Sequence, residues 1–132
     1  MIKYLETRDF NEEQLQELFK SVNWLSANYP KRLVKAMKNC ETVFTAWDND
    51  KLVGLINAID DGELTAYVHY LLVNPKYQGQ GIASELLKMV KEKYKNYLYV
   101  ILVAENKPLI QFYNKNGFEA TPNTQVMEII NE

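Results

Sequence analysis

The feature that most constrains the fold is the segment VNPKYQGQGIASELLKMV, residues 73–90, which joins an apolar run to an amphipathic one. Gly79 and Gly81 lie just before a stretch in which apolar residues recur at helical spacing. This order predicts a strand, a glycine turn and a helix in direct succession. Such a turn aims unpaired backbone N–H groups and the positive end of the helix at one spot. We therefore expect an anion site there, with phosphate as the bound group.

The chain before this turn has the pattern of a strand, two helices and a meander of strands. The first strand is expected at residues 2–6, Asp9 with Glu12 predicts a capping box for the first helix, and the second helix is expected at residues 31–40. Runs of β-branched and aromatic residues, interrupted by turn-rich stretches, predict the meander. Its antiparallel strands are expected at residues 42–47, 51–59 and 63–73.

The chain after the turn predicts a helix, a buried strand, a last helix and a closing hairpin. In residues 97–104 the odd-numbered and the even-numbered positions are both apolar, which is typical of a strand covered on both faces. Because a helix precedes it, this strand is expected to run parallel to the third meander strand. Asn106 is a candidate N-cap for the last helix, and Gly117 is expected to end it. The hairpin is expected at residues 118–120 and 125–130.

These elements predict an α/β (α+β) fold with a mixed, mainly antiparallel central sheet of about six to seven strands and helices on both faces. The chain has 132 residues, of which 47% are hydrophobic. That length and composition allow one ordinary core, so we expect residues 1–132 to form a single domain.

Composition argues against several classes of partner. Lys and Arg total 15 against 17 for Asp and Glu, and the basic residues are scattered, which argues against a nucleic-acid partner and suits a cationic amine. Cys40 and His69 are the lone cysteine and histidine, so no intramolecular disulfide and no set of zinc ligands is expected. Cys40 is expected in the core. No apolar run is long enough to cross a bilayer, so we expect no membrane partner and a cytoplasmic location.

The glycine turn can be compared with known phosphate-binding motifs. A P-loop requires a Gly-Lys-Ser/Thr ending, but Ile82 and Ala83 follow Gly81, and a dinucleotide fingerprint requires a third glycine where Ser84 stands. The pattern Q/R-x-x-G-x-G/A fits residues 78–83. A second block, NKPLIQFYNKNGFEA, has an Asn that opens a helix, a Tyr within it and a closing Gly-Phe. With both blocks in this order, the chain resembles the GCN5-related N-acetyltransferase (GNAT) superfamily over nearly its whole length.

The resemblance implies that acetyl-coenzyme A (acetyl-CoA) is the acyl donor and that backbone N–H groups of the glycine turn hold its pyrophosphate. The end of the third meander strand is then expected to pair with the pantetheine arm and the acetyl carbonyl. The cofactor-binding residues so implied are Leu71, Leu72, Val73, Gln78, Gly79, Gln80, Gly81, Ile82, Ala83, Ser84, Asn106 and Tyr113. Without such a role, Gln78 and Gln80 would be solvated loop residues and Asn106 only a helix cap.

The resemblance also implies direct acetyl transfer to a primary amine in a ternary complex, with no covalent acyl-enzyme. An alkylamine with a pKa near ~10.4 is mostly protonated at neutral pH, so a proton acceptor is required. His69, on the strand that leads to the turn, is the first candidate for this catalytic role, with Glu63, Glu105 and ordered water as alternatives. Tyr113 lies where the superfamily commonly donates to the leaving sulfur. The structural alternatives are a polar sheet position for His69 and core packing beside Phe112 for Tyr113.

Trp24 and Tyr29 are candidate substrate-binding residues, because in this superfamily the first two helices and their connection shape the acceptor pocket. Core packing is the alternative for both side chains. The acceptor is expected to be an amine of a small molecule or of a peptide. A homodimer is one of the oligomeric states expected, because members of the superfamily often dimerise. Two other functions are open: a non-catalytic acyl-CoA binding or sensing module, and a protein-interaction scaffold of the same fold.

Overall fold

The elements form where the hydrophobic pattern predicts them, with shifts at their ends. The computed structural model describes residues 1–132. Along the chain the elements are β1 (Ile2–Glu6), α1 (Glu12–Ser21), α2 (Pro30–Asn39), β2 (Thr42–Asp48), β3 (Lys51–Asp60), β4 (Thr65–Val73), α3 (Ile82–Lys93), β5 (Tyr99–Leu102) and α4 (Lys107–Lys115). Short helical turns at Leu25–Asn28 and Pro75–Tyr77 precede α2 and α3. None of the helices combines the length and the apolar character that crossing a membrane requires.

The strands form one sheet of five, in the order β1-β2-β3-β4-β5. β1 to β4 form three antiparallel pairs, β1 with β2, β2 with β3 and β3 with β4, so that Thr45 on β2 lies opposite Leu5 on β1 and Leu55 on β3. The predicted mixed, mainly antiparallel α/β fold is confirmed. The predicted number of strands is wrong, because residues 118–132 contain no strand.

The predicted closing hairpin is the source of that error. Its turn does form, with the hydroxyls of Thr121 and Thr124 2.6 Å apart. The apolar side chains that follow stay exposed, among them Met127 at 88% and Ile129 at 85%. Apolar residues at strand spacing form a strand only where a neighbouring strand supplies hydrogen-bond partners. The local pattern contains no information on that partner.

β5 is shorter and more exposed than predicted. The strand expected at residues 97–104 extends only over Tyr99–Leu102. Tyr99 and Ile101 are 55% and 48% exposed, so the prediction of a strand covered on both faces is wrong. β5 stands last in the sheet order, where a strand has a neighbour on one side only. The direction of its pairing with β4 stays a prediction.

α1 begins after a capping box that lies closer to the helix than predicted. The Gln14 N–H donates to Asn11 Oδ1 at 2.8 Å, and the Asn11 N–H donates to Gln14 Oε1 at 3.0 Å. The predicted pair, Asp9 and Glu12, is therefore wrong, and the Asp9 N–H donates instead to the Thr7 hydroxyl at 3.2 Å. Both pairs have the spacing of a capping box, so the local pattern does not distinguish them.

Helices cover both faces of the sheet, as predicted. Leu55 on β3 lies in a buried cluster with Phe19 of α1 and Met37 of α2. The preceding residue, Gly54, faces the other side because successive strand residues alternate. A Cβ on Gly54 would lie 2.9 Å from Cγ2 of Ile82 in α3. The glycine therefore lets α3 lie close against the sheet.

The chain divides into two compact units, Met1–Ile101 and Leu102–Glu132. The first contains β1 to β4 and α1 to α3, and the second contains α4. In the second unit, Asn106 Oδ1 accepts from the Leu109 N–H at 3.0 Å, and Gly117 follows α4 with a φ of 92°. The predicted cap and the predicted left-handed end of this helix are both confirmed. The single domain expected from length and composition stays a prediction.

Candidate active site

Hydrogen bonds hold the start of the segment that joins β4 to the glycine turn. Asn74 is buried, its Oδ1 accepts from the Lys76 N–H at 3.0 Å, and its own N–H donates to the Val53 carbonyl of β3 at 2.8 Å. Gln78 folds back so that its Nε2 donates to the Val73 carbonyl at 3.3 Å. Asn74 was not among the predicted site residues, although Asn before Pro is a signal for turn initiation. These bonds give the turn a defined shape at the end of β4.

Gly79 and Gly81 adopt the left-handed conformation, with φ of 82° and 81°. Residues with a Cβ rarely adopt it, which explains the glycines. A Cβ on either would meet no atom within 4 Å, so the space beside both is open. Gly81 is the N-cap of α3, and no side chain caps the helix. The first-turn N–H groups of Ile82, Ala83 and Ser84 have no intrahelical acceptor and suit an anion.

The predicted residues at the end of β4 differ in their burial. Leu72 and Val73 are buried, and Leu71 is half-buried. Leu72 packs in the core with α1 and α2, so it can offer a ligand only its backbone groups. Gln80 is an exposed residue of the turn. The structure thus brings together the residues predicted to bind pyrophosphate, and their binding of it stays a prediction.

A β-bulge in β4 sets the position of His69. Tyr70 lies opposite Asn57 and Val68 lies opposite Ala58, so His69 has no opposite residue on β3. The Tyr70 N–H donates to the side-chain oxygen of Asn57 at 2.8 Å. A bulge re-aims the side chain of its extra residue and is frequent beside active sites. The sequence pattern predicts a regular strand here, so the bulge is a feature that it missed.

The His69 ring lies against two tyrosines of the same strand. Its centroid is 3.9 Å from that of Tyr70 and 5.5 Å from that of Tyr67, with interplanar angles of 21° and 28°. His69 as a whole is exposed, yet partial burial of its imidazole lowers its pKa below the ordinary value. A lowered pKa favours the neutral imidazole at neutral pH, which is the form that accepts a proton.

An aromatic cluster, formed by Phe19, Trp24, His69 and Tyr70, connects the α1 region to the bulge. The Tyr70 ring centroid lies 5.0 Å from that of Phe19 and 5.5 Å from that of Trp24, and its hydroxyl lies 3.5 Å from Ser26 Oγ. Trp24, a predicted substrate-binding residue, is therefore separated from His69 by one ring. Phe19, Ser26 and Tyr70 were not predicted here, because their proximity depends on the packing of α1 against β4.

Tyr29, the other predicted substrate-binding residue, lies at the start of α2. The Leu33 N–H donates to its carbonyl at 3.0 Å, and the guanidinium carbon of Arg32 lies 5.4 Å from its ring centroid. The side chain is half-buried. These contacts give Tyr29 a structural role in α2, and its contact with an acceptor stays a prediction.

In the second unit, Tyr113 is 7% exposed on α4. Its ring centroid lies 5.3 Å from that of Phe112 and 5.8 Å from that of Phe118. Burial, followed by the negative charge of Glu105, raises the pKa of Tyr113, so the phenol is protonated and able to donate at neutral pH. The structure thus shows the core packing beside Phe112 that was the alternative to a catalytic role. The catalytic role of Tyr113 and the cofactor-binding role of Asn106 stay predictions.

Cys40 is buried, as predicted, and its sulfur accepts from Asn57 Nδ2 at 3.4 Å. Burial is the main cause that raises the pKa of the thiol. A buried thiol with a raised pKa is a poor nucleophile. The side chains of the chain form no group of three or more His, Cys, Asp or Glu that could hold a metal ion.

Solved structures share this architecture over nearly the whole chain. A GNAT-family acetyltransferase from Streptococcus pneumoniae is 31% identical with a TM-score of 0.85, covering 99% of this chain and 98% of that one. A probable acetyltransferase from meticillin-resistant Staphylococcus aureus is 26% identical with a TM-score of 0.88, covering 99% of this chain and 100% of that one.

Sequence comparisons agree with the structural ones. An uncharacterized N-acetyltransferase of Prochlorococcus marinus is 28% identical over 125 residues, which are 90% of this chain and 68% of that protein. A histone acetyltransferase of Glycine max is 28% identical over 126 residues, and the match covers 86% of this chain but only 54% of that protein. The family model of the acetyltransferase (GNAT) domain matches residues 6–131. Since that match covers nearly the whole chain, the chain belongs to the GNAT family of acetyltransferases.

Proposed function

We propose that the chain transfers an acetyl group from acetyl-CoA to a primary amine of a small molecule or peptide, by direct attack in a ternary complex. The observation that carries the proposal is the bulge in β4, which presents His69, with its lowered pKa, on the strand that leads into the glycine turn. One strand thus carries both a proton acceptor and the entry to an anion site.

The residues of the turn fit the pyrophosphate of acetyl-CoA. Gly79 and Gly81 leave the space beside the backbone open, and α3, with 12 residues, presents an N-terminus that no side chain caps. Negative charge is stabilised at such a terminus. We assign the pyrophosphate to backbone N–H groups of residues 78–84. When bound, acetyl-CoA supplies an acetyl group activated as a thioester.

His69 is proposed to accept the proton that the amine must lose. An alkylammonium has a pKa near ~10.4, so the nitrogen lone pair is free only when a base removes a proton. The neutral imidazole takes that proton before the nitrogen attacks the carbonyl carbon, and the second proton that the nitrogen loses when the thiolate departs replaces the one that Tyr113 donates. Because His69 is an exposed residue, the proton can then pass to solvent. A backbone N–H near Val73 is proposed to stabilise the negative charge that develops on the carbonyl oxygen.

Two further side chains support direct transfer. Tyr113 is proposed to donate its proton to the departing thiolate of coenzyme A, since its raised pKa keeps the phenol protonated. Cys40 is the lone cysteine, and its thiol is buried with a raised pKa. It is therefore unsuited to form a covalent acyl-enzyme.

The aromatic cluster favours an amine as the acceptor. Trp24 and Tyr70 are half-buried, and the faces of aromatic rings attract cations. The net charge of −2 suits a cationic acceptor, and the name of the Glycine max relative, a histone acetyltransferase, supports a peptide amine. A cytoplasmic location and a homodimer are proposed alongside, the first from composition and the second from the family resemblance.

Turnover is tested by following the release of coenzyme A thiol from acetyl-CoA over a panel of small amines and Lys-containing peptides. We expect an acetylated product by mass spectrometry with at least one amine, and a loss of about 100-fold in kcat in His69→Gln. Tyr113→Phe should also lower kcat. Glu63→Gln, which removes an exposed carboxylate proposed as an alternative base, should not. Binding of acetyl-CoA without turnover on any amine would favour a sensing module instead.

A further inference from the structure

Asn57 is a polar residue in the interior of a strand. It lies on β3, is 1% exposed, and is followed by apolar Ala58 and Ile59. Asn is disfavoured in strands, and a buried amide is costly unless its groups are hydrogen-bonded. A β-branched apolar residue would suit a regular strand better at this position. The packing of the core alone therefore does not explain why an amide side chain is present at this position.

Both ends of this amide have partners. Its oxygen accepts from the Tyr70 N–H at 2.8 Å, and its nitrogen donates to the sulfur atoms of Cys40 at 3.4 Å and Met37 at 3.7 Å. The sulfur atoms are weak acceptors, whereas the backbone N–H is a strong donor. The stronger bond is the one that ends on the bulge.

The bond to Tyr70 replaces a bond of the regular ladder. The β3–β4 register is interrupted between Asn57 and Ala58, and the extra residue on β4 is His69. Without the Asn57 oxygen, the Tyr70 N–H would be left buried and unsatisfied, or the register would shift to restore a backbone partner. A shift of one residue turns side chains to the opposite face of a sheet. His69 would then leave its place beside Tyr70.

We propose that Asn57 is a positioning residue whose amide oxygen holds the β4 bulge that sets the His69 imidazole against Tyr70. The inference rests on the proposed function in one respect, because the position of His69 matters for turnover only if His69 accepts the proton. The titratable groups against the imidazole are Tyr67 and Tyr70, and the residues that pack on Tyr70 from the α1 side, Phe19 and Trp24, carry no charge.

The first test needs no acceptor, because His69 is the lone histidine and gives one set of imidazole signals in an NMR titration. In the natural protein the pKa of His69 is expected below its ordinary value. Asn57→Val removes the amide oxygen and keeps a strand-forming side chain, so the pKa should rise toward about 6.5. The control is Thr45→Val, which deletes a fully buried hydroxyl bonded to the Leu5 carbonyl at 2.8 Å, and it should leave the pKa unchanged.

The second test separates positioning from stability. Once an acceptor amine has been identified, Asn57→Val should lower kcat by about 10- to 100-fold. The acid limb of the pH profile of kcat should move to higher pH together with the imidazole pKa. The affinity for acetyl-CoA should fall less than kcat, because the glycine turn to which the pyrophosphate is assigned is not altered. If the imidazole pKa moves but His69→Gln retains turnover, the positioning stands and the assignment of His69 as the base fails.

A second variant keeps the proposal testable if Asn57→Val does not fold. The double substitution Met37→Leu with Cys40→Ala removes both sulfur acceptors and leaves Asn57 free to rotate away from the Tyr70 N–H. It should raise the His69 pKa by a smaller amount in the same direction. The proposal is overturned if neither variant changes the His69 pKa or turnover relative to Thr45→Val.

Discussion

At the residue scale, the chemistry depends on where one imidazole lies. The His69 imidazole lies against the rings of Tyr67 and Tyr70, and its burial lowers its pKa. The candidate itself could be predicted, because the chain has a single histidine and it lies on the strand before the turn. The orientation of His69 could not be predicted, because Asn57 sets the bulge. Asn57 lies twelve residues before His69 in the chain and is its neighbour only in the sheet.

The lowered pKa predicts how stability depends on pH. Between the folded pKa and the unfolded value of about 6.5, the unfolded chain binds more protons, so stability rises with pH in that window. The contribution of His69 is complete above about pH 6.5 and is lost as the pH falls through the folded value. Urea midpoints measured on both sides of this window should differ less in His69→Gln than in the natural protein. An identical pH dependence in the two proteins would show that the imidazole is not buried as described.

At the element scale, the position of the glycine turn depends on how α3 lies on β3. The helix itself follows from the spacing of Leu86, Leu87 and Val90, all of which are buried. The distance of α3 from the sheet does not follow from that spacing. It depends on the contact between Gly54 and Ile82, the first residue of the helix. The exposure of β5 likewise depends on its place in the sheet, and the start of α1 was missed because two residue pairs there have the spacing of a capping box.

Gly54→Ala is expected to displace the start of α3. The new Cβ would lie 2.9 Å from Ile82 Cγ2, so the helix must move, at a cost of about 1–3 kcal/mol in the free energy of unfolding. Because Ile82 follows Gly81 directly, binding of acetyl-CoA should weaken as well. Gly62→Ala is the matched control: Gly62 has a φ of 83° and open space around it, so backbone strain should cost about 1–2 kcal/mol without affecting binding. Equal acetyl-CoA affinity in both variants would contradict this coupling.

At the scale of the whole molecule, the family could be predicted from two short motifs, whereas the number of strands in the sheet could not be predicted from the sequence. The glycine motif predicts the family because its backbone conformation is required at Gly79 and Gly81 themselves. A strand needs a partner from elsewhere in the chain, and the segment predicted to close the sheet has none. The aromatic cluster likewise joins α1, the turn after it and β4, and only the folded chain brings these together.

The central claim, that the glycine turn binds acetyl-CoA for transfer, is tested most directly by calorimetric titration of acetyl-CoA. We expect a Kd in the micromolar range, about −8 kcal/mol, for the natural protein. Gly81→Glu places a side chain and a negative charge where the pyrophosphate is assigned, and should abolish binding. Gly62→Glu makes the same change at another left-handed glycine in open space, with φ of 83°, and should bind normally. Absence of binding by the natural protein, or undiminished binding by Gly81→Glu, would contradict the account.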